Sequence, residues 1–365
     1  MRTTRLLAVS GITAAFVLIA PTLASAASDP PTPEVWSTHL AAPFGLEVDG
    51  PRVLVADGGT GTLGQLQPDG TIAPIVSGVD GLSGVAVRGK WLAYTSTHTQ
   101  MPEFINTASG LNIRTPQGVR IYADTHAWEV AHNPDQINTY GPRSEDPCVL
   151  GALGPRYEGA VDSHAYSVAS WRDGWVVADA GANALFKVDA TGHVSTLAVM
   201  PPQSAKITEE AVTELGMPSC LVGTTYDFEP VPTDVEVGTD GMLYVTTLPG
   251  GPESAALGAR GALWRVDPAT GDSEWLAGGF LGATNLALGK NGVIYVTELF
   301  GGRVTAVAAD GTSSPYAALP GVVAVETAPN GTVWAATMGN EDPPAPGTIV
   351  SISNGKVKVQ AQVKH

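Results

Sequence analysis

Residues 176–189 read VVADAGANALFKVD, a strand-like run, a turn of small residues and a second strand-like run that ends in Asp189. The same unit recurs as VLVADGGTGTLGQLQPDG at 53–70 and as IYVTELFGGRVTAVAADG at 294–311. A unit that recurs about every 40 residues indicates a repeat architecture, in which each copy buries its apolar faces against its neighbours.

Six copies of this unit can be aligned on the first strand, where a small or polar residue precedes an alternating apolar run. The aligned positions are Gly45, Gly84, Ser167, Asp234, Asn285 and Ala324. Each copy holds four strand-like runs joined by turns rich in Asp-Gly and Asn-Gly. We therefore predict an all-β fold, a six-bladed β-propeller of four-stranded antiparallel blades over residues 41–365. Either 34–40 or 356–363 supplies the outermost strand of the last blade.

The N-terminus carries the features of a secretory signal peptide. Two arginines, Arg2 and Arg5, precede an apolar run over 6–20 and the small residues Ala24-Ser25-Ala26. We predict a signal peptide over 1–26, an N-terminal segment over 27–40 and a secreted, extracellular product. The apolar run is too short for a membrane span, and no other stretch of the sequence is long and apolar enough.

The charge balance excludes some partners. The formal net charge is −16, and removal of Arg2 and Arg5 with the signal peptide makes it −18. So acidic a chain does not bind nucleic acid or anionic lipid by electrostatic attraction. We expect a monomer.

The long loops are expected on one face of the propeller. In an up-and-down blade, the turns after the first and third strands share one face, which we call the turn face. The loops after the second strand and the links between blades share the other, the insertion-bearing face. All five long segments belong to the second class: 97–117, 133–163, 201–232, 249–258 and 340–347. Loops elaborated on a rigid scaffold are where ligands usually bind.

Both cysteines of the sequence, Cys148 and Cys220, fall in the links on either side of the third copy. In an exported chain such a pair is most simply a disulfide, which would tie the two links together. Two buried free thiols are the alternative.

Residues 165–198, AYSVASWRDGWVVADAGANALFKVDATGHVSTLA, resemble the NHL-type propeller repeat. With PTDVEVGTDGMLYV at 232–245 and TNLALGKNGVIYVTEL at 284–299, the chain looks like the exported ScyD/ScyE family. That resemblance implies a six-bladed propeller of the NHL/TolB-like type and no settled activity. The fold is also similar to that of the calcium-dependent lactonases of the regucalcin and gluconolactonase types and to strictosidine-synthase-like proteins.

Polar side chains are expected to converge on the propeller axis at the insertion-bearing face. They lie at the starts of first strands and at the ends of second strands, and we interpret Asp57, Asp179, Ser167 and Glu298 as binding residues. The lactonases bind calcium through Asn and Asp at first-strand starts, so the resemblance implies Asp234 and Asn285 as metal ligands. His164 is the candidate general base. The alternative is that Asp57 and Asp179 bond the backbone and that Asp234 and Asn285 line a wet channel.

Two functions follow from these residues. The first is a non-enzymatic module that binds a small molecule, a glycan or a protein through the insertion-bearing face. The second is a calcium-dependent lactonase or esterase-like hydrolase that uses Asp234, Asn285 and His164. The incomplete set of calcium ligands favours the first function, and no cofactor is required by it.

Overall fold

The protein is described by a computed structural model that covers residues 34–252, 255–341 and 344–353. The predicted signal peptide and the alternative closing strand at 356–363 lie outside the described residues. The described chain is mostly β-structure, in seven four-stranded antiparallel sheets and one small hairpin formed by Asn340–Glu341 and Pro344–Ala345.

Six of the seven sheets follow the sequence repeat, and we number them in chain order. Their strands, each sheet taken from the first strand to the fourth, are Pro43–Asp49, Arg52–Asp57, Thr62–Leu66 and Ile72–Val76; Val85–Arg88, Trp91–Gln100, Ile105–Arg114 and Arg120–Asp124; Ala165–Trp171, Gly174–Asp179, Ala184–Val188 and Val194–Val199; Pro232–Val237, Leu243–Thr247, Gly261–Val266 and Ser273–Phe280; Ala283–Leu288, Ile294–Glu298, Arg303–Val307 and Ser313–Ala318; Val322–Thr327, Val333–Thr337, Gly347–Ile352 and Glu34–Leu40.

Sheet six is completed by the N-terminal strand. Glu34–Leu40 pairs with Gly347–Ile352 and so takes the outermost position, which the sequence left open between two segments. Strands from the two ends of the described chain therefore share one sheet, which ties the N-terminal segment to the repeat.

The first strands of the six sheets lie side by side. Each contacts the first strand of the next sheet along the chain, and Val322–Thr327 of sheet six contacts Pro43–Asp49 of sheet one. Apolar clusters fill the six spaces between neighbouring sheets. A four-stranded sheet has two apolar faces, and this arrangement hides both of them from water.

The seventh sheet is built from the links on either side of sheet three, and we call it the link sheet. Its strand order is Tyr157–Glu158, Thr139–Pro142, Thr225–Phe228 and Gln203–Lys206. An apolar cluster of its own lies beneath it, around Val149, Leu221 and Phe228. The sequence predicted these links only as long insertions, because their strands do not follow the repeat.

Helices are few and lie mostly in the insertions. The α-helices are Thr125–His132, Pro147–Leu153 and Glu209–Glu214, and the 3₁₀ turns are Pro134–Ile137, Ser219–Leu221, Ala255–Leu257 and Lys290–Gly292. The predicted loop at 97–117 is instead an extension of two strands, since Trp91–Gln100 pairs with Ile105–Arg114 almost to residue 101. We call residues 99–106 the hairpin tip.

Candidate functional site

A narrow channel runs between the first strands of the six sheets. Its wall includes five of the six aligned positions, together with side chains two residues further along the strands. The aligned residues on the wall are Gly45, Gly84, Ser167, Asp234 and Asn285. The repeat alignment brings these residues around one axis, because equivalent positions in a repeat occupy equivalent positions in the fold.

Asp234 and Asn285 connect neighbouring sheets across this channel. Ser167 of sheet three donates a hydrogen bond to Asp234 Oδ1, and the Leu286 backbone N–H of sheet five donates to Oδ2 at 2.8 Å. Asn285 Oδ1 accepts the Val325 N–H of sheet six at 2.7 Å. Burial raises the pKa of Asp234 to about 6 despite these bonds. The oxygen atoms expected to bind calcium therefore already have protein donors.

Three glutamates that interact electrostatically near the channel were not predicted from the sequence, and two of them, Glu236 and Glu326, line its wall. Glu47, Glu236 and Glu326 each lie two residues after an aligned position, so their side chains point to the same side of the strand. Burial raises the pKa of Glu47 to about 7, and burial plus mutual repulsion raises the pKa of Glu236 and Glu326 well above the ordinary value. The signal was the motif G-L-E, D-V-E and A-V-E in three of the six aligned copies.

The acids at the ends of second strands hold the chain where it enters the first strand of the same sheet. Asp57 Oδ1 accepts the Ala42 N–H at 2.7 Å, and Glu298 Oε2 accepts the Leu281 N–H at 2.8 Å. Asp179 accepts the His164 N–H at 2.6 Å and the Ser163 hydroxyl at 2.7 Å. All three side chains are almost fully buried. All three carboxylates accept hydrogen bonds from backbone N–H groups, and their role in ligand binding stays a prediction.

His164 lies close to the predicted position but does not join the channel wall. Its backbone is held by Asp179, its ring meets Tyr166 edge-on at 5.8 Å, and Nδ1 has no hydrogen-bond partner. Burial lowers the pKa of His164 to about 4, so the imidazole is neutral at physiological pH. A neutral imidazole has the protonation state that a base requires, and its catalytic role remains a prediction.

The disulfide predicted from the sequence joins Cys148 to Cys220. It connects helix Pro147–Leu153 to the 3₁₀ turn Ser219–Leu221, so the two links are covalently tied beneath the link sheet. Asp227, at the centre of that sheet, pairs with Arg156 at 2.7 Å and with Arg143 at 2.8 Å. Burial of the carboxyl opposes ionisation, but the bonds from Arg143, Ser204 and Arg156 lower the pKa of Asp227 to about 2.

Exposed apolar side chains concentrate in the insertions. Of the eleven exposed large hydrophobic residues in the described chain, eight belong to the hairpin tip or to the links: Met101, Phe104, Ile105, Val130, Ile137, Tyr157, Val161 and Val222. The base of the hairpin tip is fixed to the neighbouring link, since Asn106 Nδ2 donates to Asp162 Oδ1 at 3.1 Å and to its carbonyl oxygen at 3.2 Å. These two bonds fix the hairpin tip to the link between sheets two and three.

The described residues contain no preformed metal site. Within residues 34–252, 255–341 and 344–353, no group of three or more His, Cys, Asp or Glu side chains is arranged to hold a metal ion. Asp234 and Asn285 supply oxygen atoms that already accept bonds from Ser167, Leu286 and Val325. Two oxygen donors are fewer than calcium requires, and the role of Asp234 and Asn285 as metal ligands stays a prediction. In the same part of the chain, no helix has the length and apolarity to cross a membrane.

Comparison with known proteins identifies the fold alone. No protein-family model and no curated protein matches the chain. A glucose dehydrogenase aligns with a TM-score of 0.54 and 11% identity over 89% of this chain and 100% of that chain. A putative gluconolactonase aligns with a TM-score of 0.51 and 13% identity over 89% and 93%. Virginiamycin B lyase from Staphylococcus aureus aligns with a TM-score of 0.45 and 12% identity over 81% of this chain and 77% of that chain. These neighbours are β-propeller proteins, and identities this low extend the likeness no further than the fold.

Proposed function

We propose that this chain is a secreted six-bladed β-propeller of the ScyD/ScyE type that acts as a binding module through its insertion-bearing face. In this proposal residues 1–26 are the signal peptide, 27–40 are the N-terminal segment that contains the closing strand, and 41–365 supply the rest of the propeller. The observation that carries the binding role is the concentration of exposed apolar side chains in the insertions. Such side chains, when grouped, mark interaction sites on soluble proteins.

The architecture beneath these side chains supports the proposal. The links are not loose loops, because they form a four-stranded sheet with its own apolar cluster and a disulfide. The hairpin tip is bonded to the link at Asp162. A surface held in place before binding loses little conformational entropy when a partner docks. A protein or glycan partner with an apolar patch suits this surface better than a charged one does.

Site-specific photocrosslinking tests the proposal while the partner is still unidentified. A photoreactive amino acid replaces Ile105 at the hairpin tip, and a matched variant carries it at Val119, in the turn between the third and fourth strands of the same sheet. The two residues are 49% and 55% exposed. Incubated with surface material and medium of the producing cells, Ile105 should crosslink to one discrete species that Val119 does not capture. Equal capture at both positions, or none at Ile105, would contradict the proposal.

A calcium-dependent lactonase is the second candidate, favoured by the carboxylates in the channel. Asp234, Glu236 and Glu326 line a channel whose wall contains no Lys or Arg among the described residues. Thermal unfolding in EDTA and then in calcium decides it, since a bound ion must stabilise the folded state. A calcium-dependent rise in the midpoint that Asp234→Asn abolishes, together with turnover of a lactone, would favour the hydrolase. An unfolding midpoint that calcium does not change would mean that the carboxylates of the channel have a structural role.

A further inference from the structure

On the turn face, Arg172 has a left-handed backbone conformation, and the equivalent turns of sheets one and two have glycine at that position. The turn after the first strand has a left-handed first residue in sheets one, two and three: Gly50 at φ 60°, Gly89 at φ 61° and Arg172 at φ 54°. A side chain in this region costs about 1–2 kcal/mol that glycine avoids. The arginine is thus placed at a position where its backbone conformation is unfavourable.

Arg172 borders a groove between sheets three and four. The groove has a volume of about 380 Å³, within the range of small-ligand sites, and Trp171, Lys187, Thr196 and the turn Pro268-Ala269-Thr270 also line it. The turn of sheet four comes this close because Gly271, at φ 80°, has no side chain. A Cβ there would lie 2.8 Å from the Leu197 carbonyl oxygen.

Two cations share the floor of this groove. The Arg172 guanidinium carbon lies 4.3 Å from the Trp171 ring centre, and Lys187 Nζ lies 5.8 Å from it. Trp171 is buried, so the ring is a fixed platform that orients both groups. The chain as a whole carries a formal charge of −16, which makes a local pair of cations unusual on this surface.

Neither cation has a carboxylate partner among the ion pairs of the described residues. Two acids of neighbouring turns bond within those turns: Asp189 Oδ1 accepts bonds from Thr191 and His193, and Asp267 Oδ1 accepts the Ala269 N–H at 2.8 Å. The guanidinium fork and the ammonium group are therefore available to an anion.

We propose that this groove binds a small acidic sugar, with Arg172 and Lys187 on its carboxylate and the hydroxyls of Thr196 and Thr270 along its ring. A guanidinium matches a carboxylate with two parallel hydrogen bonds, and the ammonium adds a second charge. The remaining wall combines the hydroxyls of Thr196 and Thr270 with the apolar side chains of Leu197, Pro268 and Ala269, a mixture that suits the polar edge and the apolar face of a sugar ring. The site is on the turn face and is independent of the function assigned to the insertion-bearing face.

Isothermal titration with glucuronate tests the site, with glucose and inorganic sulfate as comparison probes. The wild type should bind glucuronate at least about tenfold more tightly than glucose or sulfate, because only glucuronate offers both the carboxylate and the ring. Arg172→Gly should weaken glucuronate binding about tenfold or more. This variant restores the residue that the equivalent turns use, so its fold is not at risk.

Arg120→Gln is the matched control, since Arg120 is exposed on the outer strand of sheet two and its loss changes the net charge equally. It should leave glucuronate binding unchanged, whereas Lys187→Gln should weaken it. Absence of glucuronate binding by the wild type at millimolar concentration would overturn the proposal. So would binding that Arg172→Gly leaves intact, or sulfate and glucose binding as tight as that of glucuronate.

Discussion

Replacing Glu47 by glutamine removes one titrating carboxyl from beside the axial channel and keeps the shape of the side chain. Glu47 lies close enough to the channel residues Glu236 and Glu326 for its charge to raise the pKa of both, and no lysine or arginine lines the described wall of the channel. Burial raises the pKa of Glu47 from 4.5 to about 7, with a further increase from Asp49 that the Val87 backbone bond and Arg52 oppose. The folded protein therefore holds this proton over a range in which the unfolded chain releases it.

The sign of the effect follows from that difference in proton binding. Because the folded-state pKa is the higher one, the stability is fully present below about pH 4.5 and is lost as the pH rises through about 7. The interval between these values corresponds to roughly 3 kcal/mol for one group, as an upper bound. The wild type should thus be more stable at about pH 5 than at about pH 8, and Glu47→Gln should lose part of that dependence.

Urea unfolding of both proteins at the two pH values measures the effect. At the higher pH the variant should be more stable than the wild type by about 1–3 kcal/mol, and at the lower pH the two should be similar. Glu103→Gln is the control, since Glu103 is exposed in the hairpin tip and the charge change is the same. A wild type that is equally stable at both pH values, with no gain in the variant, would refute the reasoning.

Other changes test other parts of the structure. The double variant Cys148→Ala, Cys220→Ala opens a loop of 72 residues and should lower the free energy of unfolding by roughly 4 kcal/mol, as measured by urea unfolding. A reductant should lower the stability of the wild type and leave that of the variant unchanged. Arg172→Gly should be more stable than Arg172→Ala by about 1 kcal/mol in the same assay, because both lose the contact with Trp171 but only alanine keeps the strained φ. Equal free energies of unfolding for the two variants would show that the positive φ at residue 172 does not destabilise the protein.

The repeat made much of the fold predictable. Alternating apolar residues and Asp-Gly turns depend on local chemistry that recurs in each copy, so each of the six copies forms one four-stranded antiparallel sheet, as predicted. The disulfide followed from the placement of Cys148 and Cys220 in two links. The identity of the closing strand did not follow, because 34–40 and 356–363 alternate alike and pairing over more than 300 residues has no local signal.

The candidate site was only partly predictable. The alignment correctly predicted that Ser167, Asp234 and Asn285 lie near the axis. It did not predict that the Ser167 hydroxyl donates to Asp234, or that Asp234 and Asn285 accept backbone N–H groups of neighbouring sheets. It also missed Glu47, Glu236 and Glu326, since a residue two positions further along a strand shares its face only once the strand register is known. The link sheet has no repeat to reveal it, because its strands come from two segments separated by sheet three.

The central claim is that the insertion-bearing face meets a partner, and hydroxyl-radical footprinting of the whole protein tests it directly. Readily oxidised side chains are exposed both in the insertions and on the fourth strands of the sheets. The exposed fractions are 60% for Met101 and 41% for Tyr157 in the insertions, and 45% for Tyr122 and 50% for Trp275 on fourth strands. With surface material of the producing cells present, oxidation of Met101 and Tyr157 should fall while Tyr122 and Trp275 react as in the free protein. Protection of Tyr122 and Trp275, with Met101 and Tyr157 unchanged, would contradict a binding role for the insertion-bearing face.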